Sequence, residues 1–198
     1  MKTKLLIKSA ITAFILTVLY SVIPFQAVCA EIPDNVFRFH IIANSDSKAD
    51  QSLKLKVRDR VLDSTKALFE SAKTKSEAEN IVKANLSAIE KTAQNEVYNN
   101  GCRYTVSAEV VNMHFDTRYY DNYTLPAGMY DALRITIGSG KGHNWWCVMF
   151  PSICISSADE GKEKAKSVFN DDEYHLVAEE KTEYKFFVVE LFEKIFVH

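Results

Sequence analysis

The chain has 198 residues, with 24 basic and 26 acidic side chains, a formal net charge of −2 and 47% hydrophobic residues. Such a balance argues against a nucleic-acid partner, which needs a concentrated basic face. The length suits one domain with a sizeable core better than two.

Lys2, Lys4 and Lys8 precede an uncharged, mostly aliphatic run from Ser9 to Ala30, which is the pattern of an export signal. Val28 and Ala30 are small enough for the −3 and −1 positions of a signal-peptidase site, so a mature chain would begin near Glu31. The run also reaches the roughly 20 residues of a membrane span. Residues 1–30 are therefore expected to be a signal peptide or an N-terminal membrane anchor. Pro24 and the small residues after it favour cleavage, and Gln26, Ala27 and Val28 make a poor lipobox for Cys29. Three lysines and no acid leave with this segment, so residues 31–198 keep 21 basic against 26 acidic residues, a net charge of −5.

Val36 to Ala43 is β-branched and aromatic on both faces apart from Arg38 and His40, as in a strand covered on both sides. Asn44 to Ser47 form a turn whose side chains can cap a helix. Leu53, Val57, Val61 and Leu68 then recur at helical spacing from about Ala49 to Ala72, with Lys54, Lys56, Arg58 and Asp59 mostly on the wet side. A second helix opens on the capping pattern Ser76-x-x-Glu79 and carries the stripe Ala78, Val82, Leu86, Ile89, Ala93 and Val97. Asn99, Asn100 and Gly101 end it.

The period then changes to two. Tyr104, Val106, Ala108 and Val110 alternate with polar residues along a strand from Arg103 to Phe115. Asp116 to Gly128 reads as an aromatic loop, Met129 to Ile137 as a second strand, and a third begins near Asn144. Asp159 to Phe169 looks helical, as does Thr182 to Phe196, although Tyr184 to Val189 could equally extend the sheet. The predicted class is α+β, a single domain with a mostly antiparallel sheet covered by helices.

Chemistry concentrates in Gly138 to Cys154, GSGKGHNWWCVMFPSIC. Its glycines do not make a phosphate loop, because Ile135 and Gly142 stand where that pattern needs a glycine and a Ser or Thr. His143 and Cys147 suggest a thiol and its base, yet on one strand four residues separate them by roughly 13 Å. The five histidines are scattered, so no metal or cofactor is expected. Asp46, Asp50 and Asp59 are explained by caps and solvated helix faces. Trp145 and Trp146 are consecutive on a strand and point to opposite faces. One is expected to face outward and serve as a binding hot spot, unless the sheet is covered on both sides. Tyr119, Tyr120 and Tyr123 offer a second patch. Outside the cytoplasm thiols tend to oxidise, and of Cys102, Cys147 and Cys154 the expected bridge is Cys147 with Cys154, two buried free thiols being the alternative.

The segments ANSDSKADQSLKLKVRD at Ala43 to Asp59 and LPAGMYDALRITIGSGKGHNWWCVMFPSIC at Leu125 to Cys154, behind a short exported N-terminus, resemble the stage II sporulation protein R family. The resemblance covers nearly all of residues 31–198 and departs at Ser152, where a second proline would follow Pro151. It implies a non-enzymatic signal made in the forespore and exported into the space between the forespore and mother-cell membranes. There it would stimulate a membrane-embedded aspartic protease, stage II sporulation protein GA, to process the precursor of the mother-cell sigma factor E. Asn144, Trp145, Trp146, Tyr119 and Tyr120 are the candidate partner-binding residues, and no catalytic residue is expected. Membrane proximity would come from the partner or from an uncleaved N-terminal helix. The rival expectation is an exported thiol-dependent hydrolase acting on peptide or cell wall.

Overall fold

The computed structural model describes residues 2–69, 71–120, 123–152 and 158–178. They divide between two compact units, one made of Met1–Ile32, Asp116–Gly128 and Asp171–His198, the other of Pro33–Phe115 and Met129–Asn170.

In the first unit, the apolar N-terminal run lies within a 34-residue helix, α1 (Lys2–Asn35), which continues past Pro24. Leu5, Leu6, Ile7, Ile11, Leu16 and Tyr20 are exposed on it. No helix among the described residues is long and apolar enough to cross a membrane. The aromatic loop expected at Asp116 to Gly128 is instead a small antiparallel hairpin, in which β3 (Arg118–Tyr120) pairs with β4 (Tyr123–Leu125). A short helix that the sequence reading did not foresee, α5 (Asp171–Ala178), packs on β4. Its first turn holds Asp171, Asp172 and Glu173, where carboxylates complement the helix dipole. The helix expected at Thr182 to Phe196 falls outside the described residues.

The second unit is built on β1 (Phe37–Ile42), α2 (Lys48–Phe69), α3 (Lys75–Asn99), β2 (Val106–Phe115), β5 (Gly128–Ile137), β6 (Asn144–Phe150) and α4 (Ala158–Val168). Its sheet runs in the order β2-β5-β1-β6. β1 pairs with β6 antiparallel and with β5 parallel, the latter after a crossover through α2, α3 and β2. Thr105 meets Gly138, Glu109 meets Arg134 and Asn112 meets Asp131, so β2 and β5 run in opposite senses. The class is α+β with a mostly antiparallel sheet, as predicted.

Alternation along β1 divides the core. Phe37, Phe39 and Ile41 pack with Leu53, Val57 and Val61 of α2 and with Val82, Ile89 and Ala93 of α3 in one hydrophobic cluster. Arg38 and His40 point to the other face and are also buried, at 0% and 2% exposure. The Arg38 guanidinium lies 4.1 Å from the Phe115 ring centroid and 4.9 Å from that of Tyr130. An apolar outlet for a buried cation is the π-face of such rings. β2 changes phase to match, burying Val106 and Ala108 at its start and Phe115 at its end.

Both long helices depart from the reading in detail. The α2 stripe includes Leu62, Thr65 and Phe69, while Leu68 is only half-buried. The cap of α3 is Thr74, two residues earlier than expected: its hydroxyl accepts from the Glu77 N–H at 3.2 Å, and the Glu77 carboxylate accepts from the Lys73 N–H at 2.7 Å. Glu79, free of capping, pairs with Lys83 one turn on.

Candidate functional site

At the C-terminal end of β1 the chain turns through Asn44 to Ser47 into α2, and the glycine-rich connection from β5 to β6, which flank β1 in the sheet, folds against that turn. Ser47 caps α2, its hydroxyl accepting from the Asp50 N–H at 3.1 Å. The Asp50 carboxylate, buried in the first turn, accepts from the Ser45 hydroxyl at 2.5 Å and the Asn44 amide at 2.9 Å. Those two bonds, Ser45 first, hold its pKa below the usual carboxylate value.

Asn44 joins the two segments. Its side-chain oxygen accepts from the Ser139 N–H at 2.9 Å, and its carbonyl accepts from the Ser139 hydroxyl at 2.7 Å and the Lys141 N–H at 3.2 Å. Gly142 donates its N–H to the Ala43 carbonyl at 2.9 Å. A Cβ on Gly142 would collide with the Ser45 carbonyl and stand 2.9 Å from the Ala43 Cβ. Gly138, at φ +59°, is needed for its left-handed backbone and for the close approach of Asn44. The glycine-rich connection is therefore fastened in place by the turn after β1.

Beside it, the imidazole of His143 bonds through Nδ1 to Asp46, whose carboxylate also accepts from the His143 N–H at 2.6 Å. The His143 side-chain bond, followed by its backbone N–H, lowers the Asp46 pKa. Lys54, placed on the wet side by the sequence reading, is buried instead. It donates to the His143 carbonyl at 2.9 Å and to Gln51 Oε1 at 2.7 Å. Burial lowers its pKa, and Asp46 opposes that shift.

Trp145 and Trp146 point to opposite faces, as expected, but each is half-buried. Trp145 meets the edge of Phe39 with centroids 6.0 Å apart, and the Arg58 guanidinium sits 4.7 Å from its ring centre. Trp146 stacks flat on His40 at 3.8 Å and meets Phe115 edge-on at 4.8 Å. Asn144 is exposed beside them. The structure thus gathers Asn144, Trp145, His143, Asp46, Lys54 and Arg58 into one corner, of which the expected partner-binding set contains only Asn144 and Trp145. In the other unit, Tyr119 is exposed and Tyr120 half-buried on β3.

A His–carboxylate pair can hold an imidazole in one tautomer for proton transfer. Among the described residues, however, no hydroxyl or thiol is hydrogen-bonded to the His143 ring, and Cys147 is fully buried in the cluster against the helices. The histidine and cysteine are thus not brought together. No group of three or more His, Cys, Asp or Glu among the described residues is arranged to hold a metal. The free thiols among them are Cys29 and Cys102; Cys154 lies outside the described residues.

Residues 33–160 match the family described as Stage II sporulation protein R. A relative from Bacillus subtilis (strain 168), Stage II sporulation protein R, is 32% identical over 191 residues, covering 83% of each chain. No solved structure matches the chain.

Proposed function

The chain belongs to the stage II sporulation protein R family, and from that membership we propose that it is a non-enzymatic sporulation signal acting outside the cytoplasm. The N-terminal segment exports it from the forespore into the space between the two membranes. There it engages the membrane-embedded aspartic protease of the mother cell, stage II sporulation protein GA, and biases it toward cleaving the sigma factor E precursor. A ligand shifts such an equilibrium only by preferring one state, at about 1.4 kcal/mol for each tenfold change.

One observation supports a localised contact surface: the two segments that carry the family resemblance, Ala43 to Asp59 and Leu125 to Cys154, are hydrogen-bonded to each other through Asn44, Asp46, Ser139 and His143 in one corner. Its contact residues are Asn144, Trp145 and Trp146, with Tyr119 and Tyr120 as a second patch. A Cys147–Cys154 disulfide belongs to the same reading and is checked by mass spectrometry of the unreduced protein. The exported hydrolase is the weaker alternative, because it needs an accessible thiolate and Cys147 is 0% exposed.

The decisive experiment expresses the protease and its sigma-factor substrate in a non-sporulating host. The chain is exported, kept in the cytoplasm by deleting residues 2 to 30, or absent. Cleavage that depends on the exported form is expected. Equal cleavage in all three arms, with every protein present and folded, would overturn the proposal.

A further inference from the structure

β6 joins the sheet at Asn144, which pairs with Ile42 of β1, and the residue before it, His143, is held on both sides. A peptide unit is planar, so the course of the backbone through His143 depends on only two rotations, one toward each neighbouring plane. The plane before His143 carries its N–H, which donates to the Asp46 carboxylate at 2.6 Å. The plane after it carries its carbonyl, which accepts from the Lys54 ammonium at 2.9 Å. Gln51 ties the two holds together: its oxygen accepts from Lys54 at 2.7 Å, and its nitrogen donates to the Ser45 carbonyl at 3.0 Å and to Asp46 at 3.4 Å. With both planes fixed, the direction in which the chain enters β6 is set before the ladder begins, and Asn144 and Trp145 follow at once.

Lys54 is a costly group for a purely structural task. It is 5% exposed, and an ammonium taken from water loses hydration that its bonds return only in part. Both acceptors lie on residues that water reaches, since His143 is exposed and Gln51 half-buried. An apolar side chain of similar length would fill the same space without stranding either of them. Fold stability therefore gives no reason for a cation here, whereas geometry at His143 does: an ammonium presents three N–H groups and no acceptor, and its bond to a carbonyl is charge-assisted. We propose that Lys54 is a positioning residue, whose buried ammonium fixes the His143–Asn144 peptide and so orients Asn144 and Trp145 toward the protein partner. The inference rests on the reading of Asn144 and Trp145 as contact residues and adds the group that aims them.

The test compares the exported wild-type chain with K54M, and with K56M as a control that removes a neighbouring charge from the same helix while sparing His143. Lys56 is exposed and bonded to Asn100. In K54M the amide signals of His143 and Asn144 are expected to shift in NMR spectra, and those protons to exchange about tenfold faster, as for the loss of one hydrogen bond. The thermal midpoint should stay level or rise, and precursor cleavage in the same non-sporulating host should fall about tenfold. K56M should match the wild-type chain in all three. Asp46→Ala, which releases the preceding plane at an exposed residue, should disturb the same two amides. Unchanged amides in K54M, a thermal midpoint lowered by more than about 3 °C, or full cleavage by K54M would each overturn the proposal. So would an equal loss of cleavage in K56M, which would trace the effect to net charge. A wild-type chain that supports no cleavage would instead sink the protease reading, with the amides and the melt of K54M still deciding whether Lys54 sets this peptide.

Discussion

His40 is a titratable side chain buried at 2% exposure under a tryptophan. Burial pushes its pKa from the ordinary 6.5 down to about 4, with the neighbouring Asn144 opposing the shift only in part. The folded value lies below the unfolded one, so the unfolded chain takes up the proton first as the pH falls. The stabilisation is complete above about pH 6.5 and is lost on the way to about pH 4. Between pH 7.5 and 5 this residue alone should remove about 2 kcal/mol of stability. Urea unfolding at the two pH values measures it, and His40→Phe should flatten the difference over that range; an equally steep loss in the variant would put its origin elsewhere. At Asn44 the prediction concerns packing. Asn44→Ala removes the side-chain bonds to Ser139 and Asp50 and should cost about 1–3 kcal/mol, as for a buried hydrogen-bond partner left unmet. Gly142→Ala should cost a similar amount through collision with the Ser45 carbonyl, because a close approach of two backbones leaves no flexible side chain to yield. Denaturant midpoints of the two variants are the check.

The elements show which kinds of order a sequence discloses. The stripe of α3 was legible because Ala78, Val82, Ile89, Ala93 and Val97 recur on one face, and a 3.6-residue period of burial needs no partner to be recognised. Its start was misread because Thr74-x-x-Glu77 and Ser76-x-x-Glu79 satisfy the same local rule. Thr74→Ala should therefore cost about 1 kcal/mol and Ser76→Ala only a few tenths, a contrast that thermal melts of the two variants resolve. On α2 the failure was of another kind. Lys54 has a charged side chain at a position where local pattern suggests water, and its burial depends on a carbonyl 89 positions away. The His143–Asp46 pair spans 97 positions. Nothing in a helical or strand period encodes such partners; only the parallel β1–β5 pairing and the antiparallel return of β6 bring them together. The fold class and most strands were readable from periodicity, whereas the composition of the site followed from topology.

For the whole molecule, function requires that a surface can be altered without unfolding the core beneath it, and the two tryptophans differ in this respect. Trp146 fills the second face of the sheet, against His40 and Phe115. Trp146→Ala should cost about 2–3 kcal/mol, somewhat less than a fully buried aromatic would, so any accompanying loss of activity carries little information about contact. Trp145 sits under Arg58 on the helix face, and the exposed Leu55 stands on the same helix three residues before it. Residues at that spacing share a helix face. Arg58→Ala removes one cation–π contact and an ion pair to Asp59 whose carboxylate is exposed, which together should cost no more than about 1 kcal/mol. Leu55→Ala should change stability by less than about 0.5 kcal/mol. If this corner is what the protease recognises, the double variant L55A/R58A will remain folded and exported yet lose most precursor cleavage in the reconstituted host, while Tyr119→Ala in the other unit retains it. The converse, with L55A/R58A fully active and Tyr119→Ala inactive at unchanged stability, would move the contact surface from the tryptophan corner to the β3–β4 hairpin. The thermal melt that accompanies each cleavage assay separates a lost contact from a lost fold.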